Sequence, residues 1–337
     1  MNNIYRTNEQ RKDSLKIAAV DIYHPKTIRD NEYYLKRFEH NDKVKGILDK
    51  VGRDKRYVIV GNEENALTMA INASKKVLKN HNIIDGDIDI IIFASTTLEY
   101  LSPTNAMWLH SALKLKKECV CFDINANCLG MFLALEQAAV LLQSKESYKR
   151  ALVIGADQLS KIGSENTPIP SIIVGDAAAA IILEKVWDDS ESGMIDRVYQ
   201  TDSSFNDTIV LPPKGFSCSE TVNEKIHWAT FSGIESVEFA AIALDELLEK
   251  NNLKLDDISC FLLSQFTKLN IDILQEKKNI PWEKIEYIGD VYGYTGANSL
   301  FIAYESRLKK GLIKSGDIVV LWTLGAGYQT GLMLWRL

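Results

Sequence analysis

The chain has 337 residues, 46% hydrophobic and 25% charged, the balance of a globular protein whose core needs no disulfide or metal. Its net charge of −6 argues against general nucleic-acid binding, which needs an excess of Lys and Arg. No apolar run approaches the ~20 residues of a membrane span. Its five cysteines, Cys119, Cys121, Cys128, Cys218 and Cys260, form an odd set without framework spacing. They read as reduced thiols, so a cytoplasmic location is expected.

The N-terminus, from Met1 to Gln10, lacks the apolar stretch of a signal peptide. The first strong signal begins at residue 62, where an amphipathic helix leads through a turn to a buried strand over residues 88–94. The same unit recurs over residues 232–267, without a gap. The constant offset pairs Ala70 with Ala240, Ala73 with Ala243, Leu78 with Leu248, Asp87 with Asp257 and Thr97 with Thr267. A second pairing lays the stretch from Asp123 over the stretch from Asp290. Each of these reads as a short strand, a loop of small and polar residues and a long helix, followed by an apolar strand at 151–155 or 318–322. Strands alternating with helices in two similar halves predict two helix-covered sheets with a site near their junction. The first half runs over residues 1–186 and the second over 187–337. Polar residues 187–225, containing Pro212-Pro213, read as a long surface connection.

Cys128 lies between a buried-looking strand at 120–124 and an apolar helix that begins near Leu129 or Gly130. At that point a thiol faces unpaired backbone N–H groups and the positive end of the helix dipole, both of which favour the thiolate. The same N–H groups can hold an oxyanion when a thioester carbonyl is attacked. The plain alternative is a small buried core cysteine. Cys119 and Cys121 alternate along the preceding strand and are expected in the core. With no C-x-x-C pair or nearby His, the three cysteines do not suggest a metal, and none is expected.

At these residues the chain resembles β-ketoacyl-ACP synthase III of the thiolase superfamily. Residues Asp123 to Gly130 are similar to the family's nucleophile motif, and Gly52-Arg53-Asp54-Lys55-Arg56 to its Gly-Ile-x-x-Arg-Arg segment. Val174-Gly175-Asp176-Ala177 resembles its Gly-Asp-Gly-Ala segment, and Gly325-Ala326-Gly327 its triple-glycine turn. The resemblance implies an α/β, thiolase-like, five-layered αβαβα fold of two pseudo-symmetric halves. It implies an acyltransferase with Cys128 as nucleophile and an oxyanion hole from the Cys128 and Ala326 N–H groups. Coenzyme A or phosphopantetheine thioesters would be substrates, with no resident cofactor. Arg53, Arg56, Ser102, Gln265, Gly325 and Gly327 become candidate substrate-binding residues. A homodimer is implied, with Ser102 in the segment (residues 100–104) that enters the partner's acyl pocket.

Two departures stand out. Ser264 occupies the position of the family's catalytic His, and Tyr294 that of its Asn. Ser264 is a poor general base, while Tyr294 can still donate a phenolic O–H. His227, alone among five histidines in the second half, reads as a surface residue. Three functions follow. The first is acyl transfer or unusual condensation through Cys128, in fatty-acid-like or specialised metabolism. The second is conventional decarboxylative condensation with Ser264 and Tyr294 as stand-ins. The third is a non-catalytic partner subunit in a complex with another thiolase-like protein.

Overall fold

A computed structural model describes residues 13–337, apart from 164–167, 189, 219–223 and 230–232. The first ten residues, read above for a leader, lie outside the described residues, as does part of the 187–225 connection.

The first half carries β1 (Asp13–Tyr23), β2 (Thr27–Asp30), β3 (Lys55–Val58), β4 (Ile90–Ala94), β5 (Val120–Ile124), β6 (Arg150–Gln158) and β7 (Asp176–Trp187). The second carries β8 (Gly193–Thr201), β9 (Ile209–Val210), β10 (His227–Trp228), β11 (Ile258–Leu263), β12 (Ile318–Gly325) and β13 (Gln329–Arg336). The large sheets run β1-β7-β6-β4-β5 and β11-β12-β13-β8, while β2-β3 and β9-β10 form two-stranded ribbons. β4 is parallel to β5 and β6, and β11 is parallel to β12.

The repeat is visible in the coordinates. Helix Ala66–Asn80, the turn Asp85–Asp87 and β4 reappear as helix Ile234–Lys250, the turn Leu255–Asp257 and β11. Asn65 opens the first helix by a reciprocal cap: the Thr68 N–H donates to its Oδ1 at 2.9 Å and the Asn65 N–H to Thr68 Oγ1 at 2.8 Å. Leu67, Ala70, Ala73, Val77 and Leu78 follow helical spacing and bury against the sheet.

Two long helices, Gly130–Ser144 and Ser299–Lys309, lie between the large sheets. Their side chains join those of β1, β4, β6, β7, β12 and β13 in the central core. Helices Ala66–Asn80 and Asn105–Leu113 cover the outer face of the first sheet. Helices Ile234–Lys250 and Lys268–Lys278 cover the outer face of the second, giving five layers. Trp322 and Trp335 are fully buried, as expected.

Two expectations need correction. Residues from Asp290 do not form a strand: Gly289–Tyr292 is a helical turn, and the preceding stretch makes only an isolated bridge, Phe261 to Ile285. Gln265 takes the place of a ladder, donating to Glu286 O at 3.1 Å and accepting from the Ile288 N–H at 2.9 Å. The strand at 120–124 is not interior. β5 is the free edge of the first sheet, so Cys119 and Cys121 are only half-buried.

Candidate active site

Between β5 and helix Gly130–Ser144 the chain makes a turn at Asn127–Leu129, entered through Asn127 at φ 52°. That turn lifts Cys128 to the mouth of the central helix. The Asn127 side chain donates to Ala326 O at 3.1 Å, tying the nucleophile turn to the hairpin between β12 and β13. Cys128 and Ala326 thus line the same cavity, about 840 Å³ including its mouth.

The cavity wall is mostly apolar. Leu159, Ile162, Ile209, Leu211, Ile226 and Trp228 lie toward the β9-β10 ribbon, and Phe266, Tyr294 and Leu324 lie beside the thiol. Thr96, Asn125 and Asn127 supply polar groups, and Asn125 is exposed, so the cavity opens to the surface. Among the described residues the lining contains no charged side chain and no histidine.

The Tyr294 phenol lines the cavity beside Cys128, close enough to lower the thiol. Its backbone is held by the first half: the Tyr294 N–H donates to Ile173 O at 2.8 Å, and the Gly175 N–H donates to Tyr294 O at 2.9 Å. This crossing requires Gly175, because a Cβ there would lie 2.0 Å from Tyr292 O. The Phe266 ring meets the Tyr294 ring edge-on at 5.5 Å and lies over Trp228 at 6.2 Å, making an aromatic row that ends at the thiol.

Burial pushes the Cys128 thiol up to about 12, and the Asp157 carboxylate adds to the effect. Tyr294 and the residue's own N–H pull the other way without winning. The helix mouth was expected to favour a resting thiolate; loss of water around the sulfur outweighs it. Burial also raises the Tyr294 phenol well above its ordinary value, so it stays a donor.

The other expected site residues divide sharply. Gly325 lines the cavity beside Ala326, whereas Gly327, at φ 80°, shapes the turn. Ser264 does not line the cavity: it is 1% exposed and its Oγ has no partner among the described residues. Its short side chain stops inside the core, and Phe266 and Tyr294 form the wall. Gln265 is fully buried, spending its amide on Leu263 O, Glu286 O and the Ile288 N–H.

Arg53 and Arg56, two substrate-binding candidates of the first half, are buried as well. Arg53 is buried and donates to Val51 O, Ile173 O, Gln265 O and Phe266 O, at 2.6 to 3.2 Å, and to the Tyr287 hydroxyl. Arg56, also buried, reaches Ile172 O and Asn31 and lies 4.3 Å over the Tyr34 ring. Arg53 spends its donors mostly on backbone, and Arg56 divides its own between Ile172 O and the Asn31 side chain. Ser102 is exposed on the outside of this chain and His227 is exposed on β10, neither in the cavity wall.

Sequence reasoning missed the wall contributed by β9, β10 and their flanks, and Phe266 and Thr96 with it. Apolar residues at 209, 211, 226 and 228, within or beside a connection read as polar, were the available signal.

Two repeated α/β halves with a cysteine at the mouth of a central helix define a thiolase-like protein. Residues 122–203 match the family described as 3-oxoacyl-[acyl-carrier-protein (ACP)] synthase III, and residues 248–337 match its C-terminal family. A β-ketoacyl-[acyl-carrier-protein] synthase III from Clostridium perfringens is 31% identical over 330 residues, covering 96% of this chain and 99% of that protein. One from Coxiella burnetii is 29% identical over 326 residues, covering 96% and 99%. The crystal structure of 3-oxoacyl-[acyl-carrier-protein] synthase III from Aquifex aeolicus aligns with a TM-score of 0.83 at 26% identity, over 97% of this chain and 100% of that one. The chain belongs to the 3-oxoacyl-ACP synthase III family, whose members are acyl-transferring condensing enzymes.

Proposed function

We propose that the chain is an acyltransferase that loads an acyl group onto Cys128 from a coenzyme A or carrier-protein thioester and passes it to a pathway-specific acceptor. The observation that carries this reading is a cysteine reachable from an apolar cavity, with Tyr294 at its sulfur and Ala326 across from it.

The steps balance without a histidine. The Cys128 sulfur attacks the thioester carbonyl, and the N–H groups of Cys128 and Ala326 hold the resulting oxyanion. Collapse expels the donor thiolate, which takes the proton the cysteine gives up. An acceptor with its own nucleophilic O–H, N–H or activated carbon then displaces the Cys128 sulfur, which takes back the proton the acceptor loses while the Tyr294 O–H stabilises it. Decarboxylative condensation needs donors on the malonyl thioester carbonyl. Ser264 lies outside the cavity and Tyr294 is engaged with the sulfur, which disfavours that reading.

We further propose a homodimer formed along the free edge of β5. Unpaired strand edges are normally covered, and Tyr100, Leu101, Met107, Trp108 and Val120 expose apolar surface around this one. The segment bearing Ser102 belongs to that surface. A cytoplasmic location fits the five free cysteines.

Intact-mass measurement after incubation with a series of acyl-CoAs tests the reading: an acyl adduct on the native chain, absent from Cys128→Ala, is expected. No adduct with any acyl-CoA or acyl carrier protein overturns it in favour of a non-catalytic partner subunit. Release of carbon dioxide from malonyl-ACP by the acylated chain would instead establish conventional condensation.

A further inference from the structure

Asp157, near the end of β6, is fully buried and forms no salt bridge among the described residues. Its Oδ1 accepts from the Thr96 N–H at 2.7 Å, the Ser95 hydroxyl at 3.1 Å, and the Thr97 N–H and hydroxyl at 3.2 Å. Its Oδ2 accepts from the Ala297 N–H at 3.0 Å, in the turn that opens the second central helix. One carboxylate therefore joins a first-half loop to a second-half turn. The fit is close: a Cβ on Gly296, at φ 75°, would lie 2.3 Å from Oδ2.

A buried carboxylate without a cation is costly, and neutral hydrogen-bonding side chains could hold two loops together more cheaply. The two segments it joins are the ones that flank the thiol. Thr96 lines the cavity, and Ala297 lies three residues after Tyr294, whose backbone is fixed from the other side by Ile173 and Gly175. In the repeat, the mouth of the first central helix carries Cys128, whereas Asp157 fills the equivalent mouth in the second half. Only the first mouth is left for an oxyanion.

We propose that Asp157 is the positioning residue of this site, setting Thr96 and Tyr294 on either side of the Cys128 sulfur; this rests on Cys128 being the nucleophile. Asp157→Asn is expected to slow single-turnover acylation by about tenfold while leaving half-saturating acyl-CoA within about twofold. In a Tyr294→Phe background the same change is expected to cost less than about threefold, because both changes remove one arrangement. Full additivity, a native rate, or a loss that only tracks the unfolded fraction overturns the proposal. Should Asp157→Asn fail to fold, Ser95→Ala removes one donor to the carboxylate. It is expected to slow acylation about threefold, less in the Tyr294→Phe background, and an unchanged rate refutes the role. If no thioester acylates the native chain, the acyl-transfer reading fails separately. The same cycle is then read from alkylation of Cys128 by iodoacetamide, where equal effects of Asp157→Asn in both backgrounds count against the positioning role.

Discussion

Burial raises the Cys128 thiol to about 12, because the apolar cavity around it strips water from the sulfur. Its reactivity is therefore reserved for a substrate that brings its own leaving group into hydrogen-bonding range of the helix mouth. Iodoacetamide at neutral pH is expected to label exposed Cys218 before Cys128, as peptide mass mapping over time would show. The reverse order would mean that the dipole outweighs burial after all. Tyr294→Phe removes a donor that lowers the thiol, so it raises the barrier to sulfur attack; acylation is expected to fall about tenfold with little change in saturation.

Asp176 offers a test of the buried electrostatics. Burial raises its carboxyl from 3.8 to about 6, against hydrogen bonds from Ser160 and the Ile59 N–H. A raised acid binds its proton more tightly when folded, so its contribution to stability is fully present below pH 3.8 and is lost as pH rises through about 6. Native protein is therefore expected to gain stability relative to Asp176→Asn as pH falls across that window, by up to ~1.4 kcal/mol per pH unit. Urea unfolding of both chains at several pH values measures the gap, and a flat gap would contradict the raised carboxyl.

At the scale of elements, the helix–turn–strand repeat was legible because the burial of each copy depends on local spacing. Residues one helical turn apart face one sheet whatever lies beyond it, so the offset seen in the sequence survives in the fold. The failures are equally physical. Whether residues 120–124 sit inside a sheet or at its edge depends on the presence of another strand beside them, which no property of the strand records. Whether Arg53 meets solvent or backbone depends on Gln265 and Phe266, more than two hundred residues away. Arg53→Ala leaves several buried carbonyls without donors and is expected to cost about 3 kcal/mol of stability. Chemical denaturation would register that loss. A raised half-saturation for acyl-CoA in a chain of unchanged stability would restore the phosphate-binding role.

At the scale of the whole molecule, the two halves meet so that the site takes its parts from both. Cys128 comes from the first half, Tyr294 and the hairpin carrying Ala326 from the second, and Asp157 and Arg53 join the two. The β5 edge then sets the expected assembly. Leu101→Asp combined with Trp108→Glu is expected to convert a dimer to monomer in sedimentation velocity, because charge on an exposed apolar rim opposes its burial. An unchanged sedimentation coefficient would place any interface elsewhere.

The order of residues alone determined the repeat, the two-sheet plan and Cys128 at a helix mouth, since all three rest on near-neighbour periodicity and short motifs. It also placed Ser264 and Tyr294 where the resemblance leads one to expect His and Asn, a matter of identity rather than geometry. Tertiary structure decided where the two side chains lie: Tyr294 lines the cavity beside Cys128 while Ser264 is sealed in the core. It likewise buried two arginines read as candidate ligands and made a raised thiol of an expected thiolate. These outcomes depend on how much water long-range packing leaves around each group, and solvation of that kind is a property of the assembled chain.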